Sequence, residues 1–322
     1  MIKTPKFWLK KNLISCALLP FSFVYFCGFW LVKFFTKTYK ISKPVICVGN
    51  LIAGGSGKTP TAIAIGKILN EMSADFAFLS RGYMSDGSSF LLLKNDDSNK
   101  AAQVGDEPIL LTETAPTFVA KNRLFGAKQI EQINKFKMLV LDDGMQNDSL
   151  HRDFTILVID GKIGFGNNFL IPAGPMRETL NMGLKKADLV VLIGESSEKL
   201  TQKLSGKKIA KAKIIPTNLA NFRGKKLIAF CGLAYPQKFF SLLENEGLEV
   251  CQKISFSDHY LYQKSDLENL CKASESKNAA LITTKKDWVK FSSEFQEKIS
   301  YLEIDLEFEN KELIKSELKK FL

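Results

Sequence analysis

The sequence predicts an α/β fold built on a mostly parallel β-sheet, and three observations lead to this prediction. From residue 44 onwards, short apolar runs alternate with longer amphipathic runs, as strands alternate with covering helices in parallel sheets. A glycine-rich loop at 53–59 separates the first strand run from the first helix run. A second alternating series begins after residue 220. The chain has 322 residues, enough for about two domains. We therefore predict a core over 41–220 and a smaller α/β domain over 221–322.

The first forty residues are predicted to form a separate, membrane-associating helical segment. They contain seven lysines and no acidic residue, and Leu13 to Val32 is a run of twenty uncharged residues. As a helix, this run would be about 30 Å long, close to the thickness of a bilayer's hydrocarbon core. No A-x-A-like cleavage site follows it, which argues against a signal peptide. Lysines on both flanks and Pro20 inside the run leave open a spanning helix or one lying in the cytoplasmic leaflet on anionic headgroups.

The elements of the core follow in order along the chain. Compact apolar runs predict buried strands, and Pro60 is tolerated in the first turn of the helix that follows the glycine-rich loop. The predicted strands of the core are 45–50, 76–80, 138–144, 154–160 and 187–194. The predicted helices of the core are 60–72, 106–115 and 122–136.

The stretch from Lys213 to Gly224 is a plausible joint between the two predicted domains. Beyond it, strands are predicted at 227–233, 248–256 and 279–284, and helices at 235–247, at 265–276 and at the Lys/Glu-rich C terminus.

Charge and cysteine usage restrict the class of protein. The net charge is +11, which suits an anionic partner but also fits ordinary solvated lysines. We expect no nucleic acid partner, because no aromatic–basic interleaving accompanies the charge. The six cysteines form no C-x-x-C pair, which disfavours zinc, and a disulfide scaffold is not expected in a chain of this length. A reducing cytosol is the expected compartment.

The loop "VGNLIAGGSGKTP", residues 48–60, is typical of a phosphate-binding loop with an unusual start. The common G-x-x-x-x-G-K-[ST] pattern would place its first glycine at Ile52. The remaining glycines still let backbone N–H groups converge on phosphate oxygens in front of a helix N terminus. A compact K-G-G-x-G-K-[ST] variant has the same glycines, with Ala53 here in place of its first lysine. A plain glycine-rich turn is the alternative. The predicted ATP-binding residues are Ile52, Ala53, Gly54, Gly55, Ser56, Gly57, Lys58 and Thr59.

Carboxylates and histidines are the candidates for metal binding and proton transfer. Asp142 and Asp143 end an apolar strand, as a metal-positioning carboxylate should, and Thr59 is expected to ligate Mg²⁺. Of the two histidines, His151 precedes a strand, whereas His259 follows one in the second domain, where polar residues often line clefts. Either histidine is also compatible with a solvated loop, and "VGDEP" at 104–108 is also compatible with a helix N-cap.

Taken together, the motifs resemble one family, that of the tetraacyldisaccharide 4'-kinases of lipid A biosynthesis. The ordered set spans nearly the whole chain. Its members are residues 48–60, "LSRGY" at 79–83, "GDEP" at 105–108, "LDDGMQ" at 141–146, "LIPAGPMRE" at 170–178, "FCGLAYPQKFF" at 230–240, "FSDHY" at 256–260 and "LITTKKDWVK" at 281–290. The resemblance implies a P-loop NTPase-type core and transfer of the ATP γ-phosphate to the 4'-hydroxyl of a membrane-embedded, acylated glucosamine disaccharide 1-phosphate. It also implies ATP and Mg²⁺ as cofactors and a position at the cytoplasmic face of the inner membrane.

The resemblance assigns roles residue by residue. The catalytic acid–histidine pair matches Asp106 and His259, and the adjacent family glutamate matches Glu107, which we group with the metal-binding residues. The remaining matches are Thr59, Asp142 and Asp143 for the metal, and Arg123, Arg177 and Glu178 for substrate or transition-state contacts.

Three residues depart from the family pattern. Met145 and Asn147 stand where "DDGFQH" is usual, and Met84 stands where "SRGYG" is usual. Asn147 cannot titrate, so an acid–base duty of that family histidine is not expected here. The Met145 change is expected to affect only packing.

Other interpretations of these sequence features, with a different function for the protein, stay open. A membrane-surface regulatory ATPase would share the compact loop and the N-terminal helix, but it would not need an isolated histidine in a second domain. A P-loop kinase of another membrane-linked alcohol would share all of the features. For Arg177 and Glu178, an ordinary ion pair is the alternative to a substrate contact. No feature of the sequence indicates an obligate protein partner.

Overall fold

A computed structural model describes residues 5–82, 90–93 and 104–322 of the chain. Tyr83, the last residue of the motif at 79–83, and Met84, the next residue, lie outside the described residues.

A nine-stranded sheet, counted over the described residues, forms the larger unit of the molecule. Its order is β13-β8-β7-β6-β1-β5-β2-β4-β3, and pairing is parallel except at the edge pairs β13·β8 and β3·β4. The strands of this sheet are β1 (Val45–Gly49), β2 (Phe76–Ser80), β3 (Leu91–Leu93), β4 (Thr117–Val119), β5 (Met138–Asp142), β6 (Phe154–Asp160), β7 (Leu189–Ile193), β8 (Lys208–Pro216) and β13 (Ile304–Phe308). The predicted mostly parallel α/β core is confirmed.

Every residue of β1, β2, β5 and β7 is buried, because apolar clusters cover both faces of the sheet. The α-helices of the described residues are α1 (Leu13–Ala17), α2 (Leu19–Phe35), α3 (Lys58–Glu71), α4 (Asp106–Thr112), α5 (Arg123–Glu131), α6 (Leu180–Lys186), α7 (Glu198–Lys203), α8 (Pro236–Asn245), α9 (Lys264–Lys277), α10 (Lys285–Trp288), α11 (Ser293–Lys298) and α12 (Lys311–Leu318). Helices α3–α7 and α12 contribute residues to the clusters on the larger sheet, whereas α8–α11 belong to a smaller unit and α1 and α2 to the N-terminal segment.

A parallel four-stranded sheet forms the smaller unit, in the order β10-β9-β11-β12. Its strands are β9 (Lys226–Cys231), β10 (Glu249–Ser255), β11 (Ala280–Thr284) and β12 (Ser300–Leu302). Apolar clusters lie on each of its faces, with Phe240 and Leu243 on one and Leu267 and Leu270 on the other.

The chain returns to the larger sheet after β12. β13 pairs antiparallel with β8, and Ile314 and Leu318 of α12 belong to the core of the larger unit. Residues 213–216, which the sequence suggested as part of a joint, are strand residues of β8. The division into 1–40, 41–220 and 221–322 stays a prediction. In the structure, residues 304–308 and helix α12 pack with the larger unit.

The N-terminal segment packs against the larger unit along one stripe of α2. Ser22 is buried, its hydroxyl donates to the Leu170 carbonyl oxygen at 2.8 Å, and it accepts from the Ala173 N–H at 3.1 Å. Most of the other large apolar side chains of this segment face outward, including Leu13 (89% exposed) and Phe34 (80%). No helix among the described residues has the combination of length and apolar character that crossing a bilayer requires.

Candidate active site

The glycine-rich loop joins β1 to α3, and two of its glycines, Gly54 and Gly57, have positive φ angles. Gly57, immediately before α3, has φ +89°, a left-handed conformation that favours glycine. Asn50 supports the loop from inside, because its Nδ2 donates to the Ile52 carbonyl at 2.8 Å and to Ser56 Oγ at 2.6 Å. These contacts fix a loop whose backbone N–H groups can bind a phosphate.

Asp143, just beyond the end of β5, is the centre of a cluster of cations. Arg177 Nη1 lies 2.9 Å from both carboxylate oxygens of Asp143, and Lys58 Nζ lies 3.6 Å from Oδ2. Arg123 donates to the backbone carbonyl of Asp143. Burial alone would raise the pKa of Asp143, but Lys58 and then Arg177 hold it well below its usual range. In this structure the loop lysine and Arg177 therefore share the single negative charge of Asp143.

Asp142, the last residue of β5, has a different environment. It is 2% exposed, and neither carboxylate oxygen has a hydrogen-bond partner among the described residues. Burial, then repulsion from Glu107 and Asp143, raises the pKa of this carboxyl, while Lys58 and Arg123 act in the opposite direction. A buried carboxylate without a partner is costly, and a divalent cation would satisfy it.

The donor set around Asp142 fits Mg²⁺. Carboxylate and hydroxyl oxygens are the ligands that this ion prefers, and Asp142, Glu107 and Thr59 all line the same cleft as the loop. Of the two predicted aspartates, Asp142 has the free oxygens, whereas those of Asp143 are engaged by Arg177.

Asp106 and His259 meet across the boundary between the two units. Asp106 begins α4 of the larger unit, and His259 follows β10 of the smaller unit. His259 Nδ1 lies 3.1 Å from Asp106 Oδ2, although the residues are 153 positions apart. His259 has φ +53°, a left-handed conformation that is uncommon for a non-glycine residue. The Gly232 carbonyl accepts its N–H at 3.2 Å.

Two lysines of the smaller unit complete this cluster. Lys290 Nζ lies 3.2 Å from Asp106 Oδ2, and Lys286 Nζ lies 3.1 Å from His259 Nε2 and 3.3 Å from Glu107 Oε1. Burial would raise the pKa of Asp106, but Lys286, the hydrogen bond to His259 and Lys290 hold it well below its usual range. The carboxyl is therefore ionised at neutral pH.

Metal binding is a second geometric possibility for the Asp106, Glu107 and His259 cluster, since one ligand atom from each lies within 4.8 Å of the others. The ammonium groups of Lys286 and Lys290 already lie against these atoms. Two resident cations make this cluster a poor cation site, so the arrangement favours a hydrogen-bonded acid–imidazole pair.

A further contact from the smaller unit reaches the glycine-rich loop. Lys238 of α8 donates to the Gly55 carbonyl at 2.9 Å and pairs with Asp160 at 2.6 Å. The Tyr235 ring lies against Gly54, where an added Cβ would be 3.3 Å from its Cε2. The loop is therefore covered by the smaller unit.

The segment 170–178 links the loop to the N-terminal helices. Its Pro175 carbonyl accepts from Ala53 N–H, and Arg177 N–H donates to the Leu51 carbonyl, both at 2.8 Å. On the other side, the Tyr25 hydroxyl of α2 donates to the Arg177 carbonyl at 2.8 Å. The N-terminal segment is thus connected to the loop through residues 170–178.

Glu178 lies beneath this segment and is 1% exposed. It pairs with Lys186 at 2.8 Å and accepts from Gln146 Nε2 at 3.1 Å, and Gln146 also donates to the Asn50 carbonyl. In this structure Glu178 supports the site from behind.

The family-pattern departures have local explanations. Asn147 Oδ1 accepts from the N–H and the hydroxyl of Ser149, at 2.9 and 2.6 Å, and so stabilises a turn. Met145 is fully buried and packs closely against Gly49. A Cβ added at Gly49 would lie 2.7 Å from the Cβ of Met145. Packing accounts for Met145, as expected. His151 is 44% exposed on its side chain and lies 3.6 Å from Asp153, away from this cluster.

A single cleft of about 1680 Å³ contains the predicted loop residues from Ala53 to Thr59 together with Glu107, Asp142, Asp143 and His259. Arg123 and Arg177 also line it, as do Tyr25 and Phe29 of the N-terminal helix. Ile52, Asp106 and Glu178 are buried behind the surface of the cleft.

The sequence arguments did not identify Lys238, Lys286 or Lys290 as site residues. Two of them lie in "LITTKKDWVK" and one in "FCGLAYPQKFF", both noted only as whole motifs. Lysine is common throughout this chain, so no local pattern distinguished these three from the others.

Comparison with known proteins gives a consistent result. Residues 14–322 match the model of the family described as LpxK, tetraacyldisaccharide-1-P 4'-kinase. The chain is 35% identical over 320 residues to the tetraacyldisaccharide 4'-kinase of Paramagnetospirillum magneticum, covering 97% of each chain. It is 37% identical over 320 residues to the enzyme of that name from Rickettsia canadensis, covering 98% of this chain and 96% of the other.

Among solved structures, the crystal structure of LpxK from Aquifex aeolicus in complex with ATP is similar, with a TM-score of 0.75 and 26% identity. The match covers 96% of this chain and 100% of that one.

Proposed function

Because this chain belongs to the tetraacyldisaccharide 4'-kinase family, we propose that it transfers the γ-phosphate of ATP to the 4'-hydroxyl of a tetraacylated glucosamine disaccharide 1-phosphate. The observation that supports the proposal is the meeting of Asp106 and His259 at 3.1 Å, beside the cleft that contains the glycine-rich loop. An anion nest and an acid–imidazole pair facing one cleft are what phosphoryl transfer to an alcohol needs.

The nucleotide binds between the two units. The loop N–H groups and Lys58 bind the β- and γ-phosphates. The triphosphate would then share Lys58 with Asp143, which now lies 3.6 Å away. The base fits against the apolar side chains of the same cleft beside the loop, namely Ile193, Leu233, Phe239 and Leu242.

Asp142, with Thr59 and Glu107 nearby, would hold the metal ion. When bound, Mg²⁺ neutralises charge on the β- and γ-phosphate oxygens. Arg177 and Arg123 line the cleft and add positive charge there. Their present contacts to Asp143 keep both guanidinium groups directed at the site.

Asp106 accepts the proton of the sugar hydroxyl, and His259 orients the carboxylate. A carboxylate with a depressed pKa is a weak base, but phosphoryl transfer has a loose transition state in which positioning counts for more than covalent chemistry. Base assistance of this kind is typically worth about 10²–10⁴-fold.

The lipid acceptor requires work at a membrane surface, and the N-terminal segment suits that task. The outward apolar side chains of α2 form a face suitable for the headgroup boundary, and lysines at its ends suit anionic headgroups. We propose a position on the cytoplasmic face of the inner membrane, where ATP is available, without an obligate protein partner.

The deciding experiment incubates the detergent-purified protein with γ-labelled ATP and the lipid disaccharide 1-phosphate. Label should appear in the lipid, and Asp106→Ala and His259→Ala should lower kcat by about 10²–10⁴-fold while ATP binding is retained. ATP hydrolysis without label in the lipid would instead indicate the regulatory ATPase, and full turnover in either variant would contradict the assigned pair.

A further inference from the structure

We propose that Lys286 is a positioning residue that holds His259 in the tautomer with its ring proton on Nδ1, and so directs that proton at Asp106. The inference deepens the proposed kinase function and rests on it. It concerns a residue whose side chain touches the pair but not the reacting atoms.

The two ring nitrogens of His259 have partners of opposite character. Nδ1 lies 3.1 Å from a carboxylate oxygen of Asp106, and Nε2 lies 3.1 Å from the ammonium nitrogen of Lys286. An ammonium group has three donors and no acceptor. A hydrogen bond at Nε2 therefore requires a lone pair there, which leaves the proton on Nδ1, where the carboxylate accepts it.

Lys286 is held in place from both sides. Its ammonium also pairs with Glu107 Oε1 at 3.3 Å, and its backbone belongs to the short helix α10. The next residue, Asp287, anchors that helix, since its Oδ2 accepts from the Gly232 N–H at 2.8 Å and from Thr284 Oγ1 at 3.0 Å. The same Gly232 accepts the backbone N–H of His259. Histidine and lysine are thus fixed to one common point of the smaller unit.

A second carboxylate near His259, that of Asp258, could compete for the ring proton if Lys286 did not occupy Nε2. Asp258 Oδ1 lies 4.0 Å from Nε2, beyond hydrogen-bond distance but within reach of a small rotation. Without Lys286, a proton on Nε2 would gain Asp258 as an acceptor, and Nδ1 would then have no proton for Asp106. The charged groups that the described residues place around the ring include Asp106, Glu107, Asp258, Lys286, Asp287 and Lys290.

Lys290 provides a matched comparison. It lies four residues further along the chain. Its Nζ lies 3.2 Å from Asp106 Oδ2 and 2.8 Å from Asp287 Oδ1, and it donates to the Tyr260 carbonyl at 3.4 Å. Removing either lysine takes one positive charge from the neighbourhood of Asp106. Removing Lys286 alone takes the donor from Nε2.

The experiment combines kinetics with ¹⁵N NMR of histidine-labelled, full-length protein at one neutral pH. The chain has only two histidines, so His151→Gln assigns the spectrum. In the wild type, His259 should show a protonated Nδ1 and an unprotonated Nε2. Lys286→Met should shift the ring towards the other tautomer, whereas Lys290→Met should keep the proton on Nδ1.

In turnover, Lys286→Met should lose roughly 10²-fold in kcat, as expected for a misdirected proton acceptor, with KM for ATP changed by less than about 3-fold. Lys286→Arg, which keeps charge and donors, should recover to within about 10-fold of wild type. The exposed Lys264→Met, 71% exposed on the side chain, serves as a control that leaves turnover unchanged.

A wild-type spectrum with the proton on Nε2 would overturn the inference, as would Lys286→Met with an unchanged tautomer or unchanged turnover. If Lys286→Met does not fold, the wild-type spectrum and Lys286→Arg decide the question. Absence of lipid phosphorylation by the wild type would refute the proposed function, while the spectrum would still report the tautomer.

Discussion

Replacing Asp142 by asparagine is expected to stabilise the metal-free protein and to abolish turnover. Both carboxylate oxygens of Asp142 are buried without a hydrogen-bond partner among the described residues. Asparagine carries no charge to desolvate, and its amide can donate towards Glu107 and Asp143, whose charges now repel Asp142.

The size of the gain follows from this environment. An unsatisfied buried polar atom costs about 1–3 kcal/mol, more when charged, and the attraction of Lys58 and Arg123 offsets part of that cost. We therefore expect Asp142→Asn to gain about 2 kcal/mol in the presence of a chelator. At about 2 °C per kcal/mol for a large chain, the rise in Tm is about 4 °C.

The gain should depend on pH in a defined direction. The folded-state pKa of Asp142 is raised above the unfolded value of about 3.9. Below about pH 4 the carboxyl is protonated in both states and costs nothing. The cost grows as pH rises above that value and is complete only above the folded pKa of about 8, so the stabilisation by asparagine should vanish near pH 4 and increase through neutrality.

The neighbouring residue supplies the control. Asp143→Asn removes the partner of Arg177 and Lys58, and its folded pKa is depressed, so its contribution is present above the unfolded pKa and is lost as pH falls. Breaking a buried pair costs about 3–5 kcal/mol. With about a quarter of each side chain of the Asp143–Arg177 pair exposed, we discount this to about 2 kcal/mol. Near neutrality the two variants should thus shift Tm in opposite directions.

Calorimetry in EDTA, with kinase assays in Mg²⁺, measures both effects. Both variants should lose turnover, since one lacks the carboxylate that is proposed to hold the metal ion and the other the group that pairs with Lys58 and Arg177. A fall in Tm for Asp142→Asn, or kinase activity that survives it, would refute the reasoning about the orphaned carboxylate.

Two other contacts give predictions of their own. Tyr25→Phe removes the hydrogen bond to the Arg177 carbonyl, which is worth about 1 kcal/mol. Limited proteolysis should therefore cleave the N-terminal segment about five-fold faster than in the wild type. An unchanged cleavage rate would show that this contact does not hold α2 in place. Lys238→Met removes the contacts to Gly55 and Asp160 that close the smaller unit over the loop, so KM for ATP from initial rates should rise about five-fold, and an unchanged KM would contradict that role.

The core of the fold was predictable because its signals are local. Strands such as β1 and β5 are largely apolar runs. The glycine-rich loop indicates both the end of β1 and the start of α3. Among the strands that were missed, β3, β4 and β12 are only three residues long, whereas β8 and β13 lack such runs. Along β8, lysines alternate with apolar residues, and β13 alternates apolar and acidic residues. Their pairing at the sheet edge depends on residues some 90 positions apart, which no local pattern encodes.

The residues of the candidate site also fall into those that local patterns predict and those that they do not. The loop, Asp142 and Asp143 could be found from strand ends and spacing. The partnership of Asp106 with His259 came only from the resemblance, since nothing local links residues 153 positions apart. Lys286 and Lys290 gave no signal, because lysine is common on any solvated helix of this chain. The catalytic, metal and substrate roles of the predicted residues stay predictions.

The path of the chain through the smaller unit has a practical consequence. The polypeptide leaves the larger sheet after β8 and re-enters it at β13. Hydrogen bonds join the two crossing points. The Thr217 N–H donates to the Glu303 carbonyl at 2.9 Å, and the Asn218 side chain bonds to the backbone of both Tyr301 and Glu303 at 3.0 Å. The smaller unit is therefore an insertion with neighbouring ends. A truncation from the C terminus would strip an edge strand and a covering helix from the larger sheet before it removed the inserted unit, whereas an internal excision between these two points would leave both sheet edges of the remainder intact.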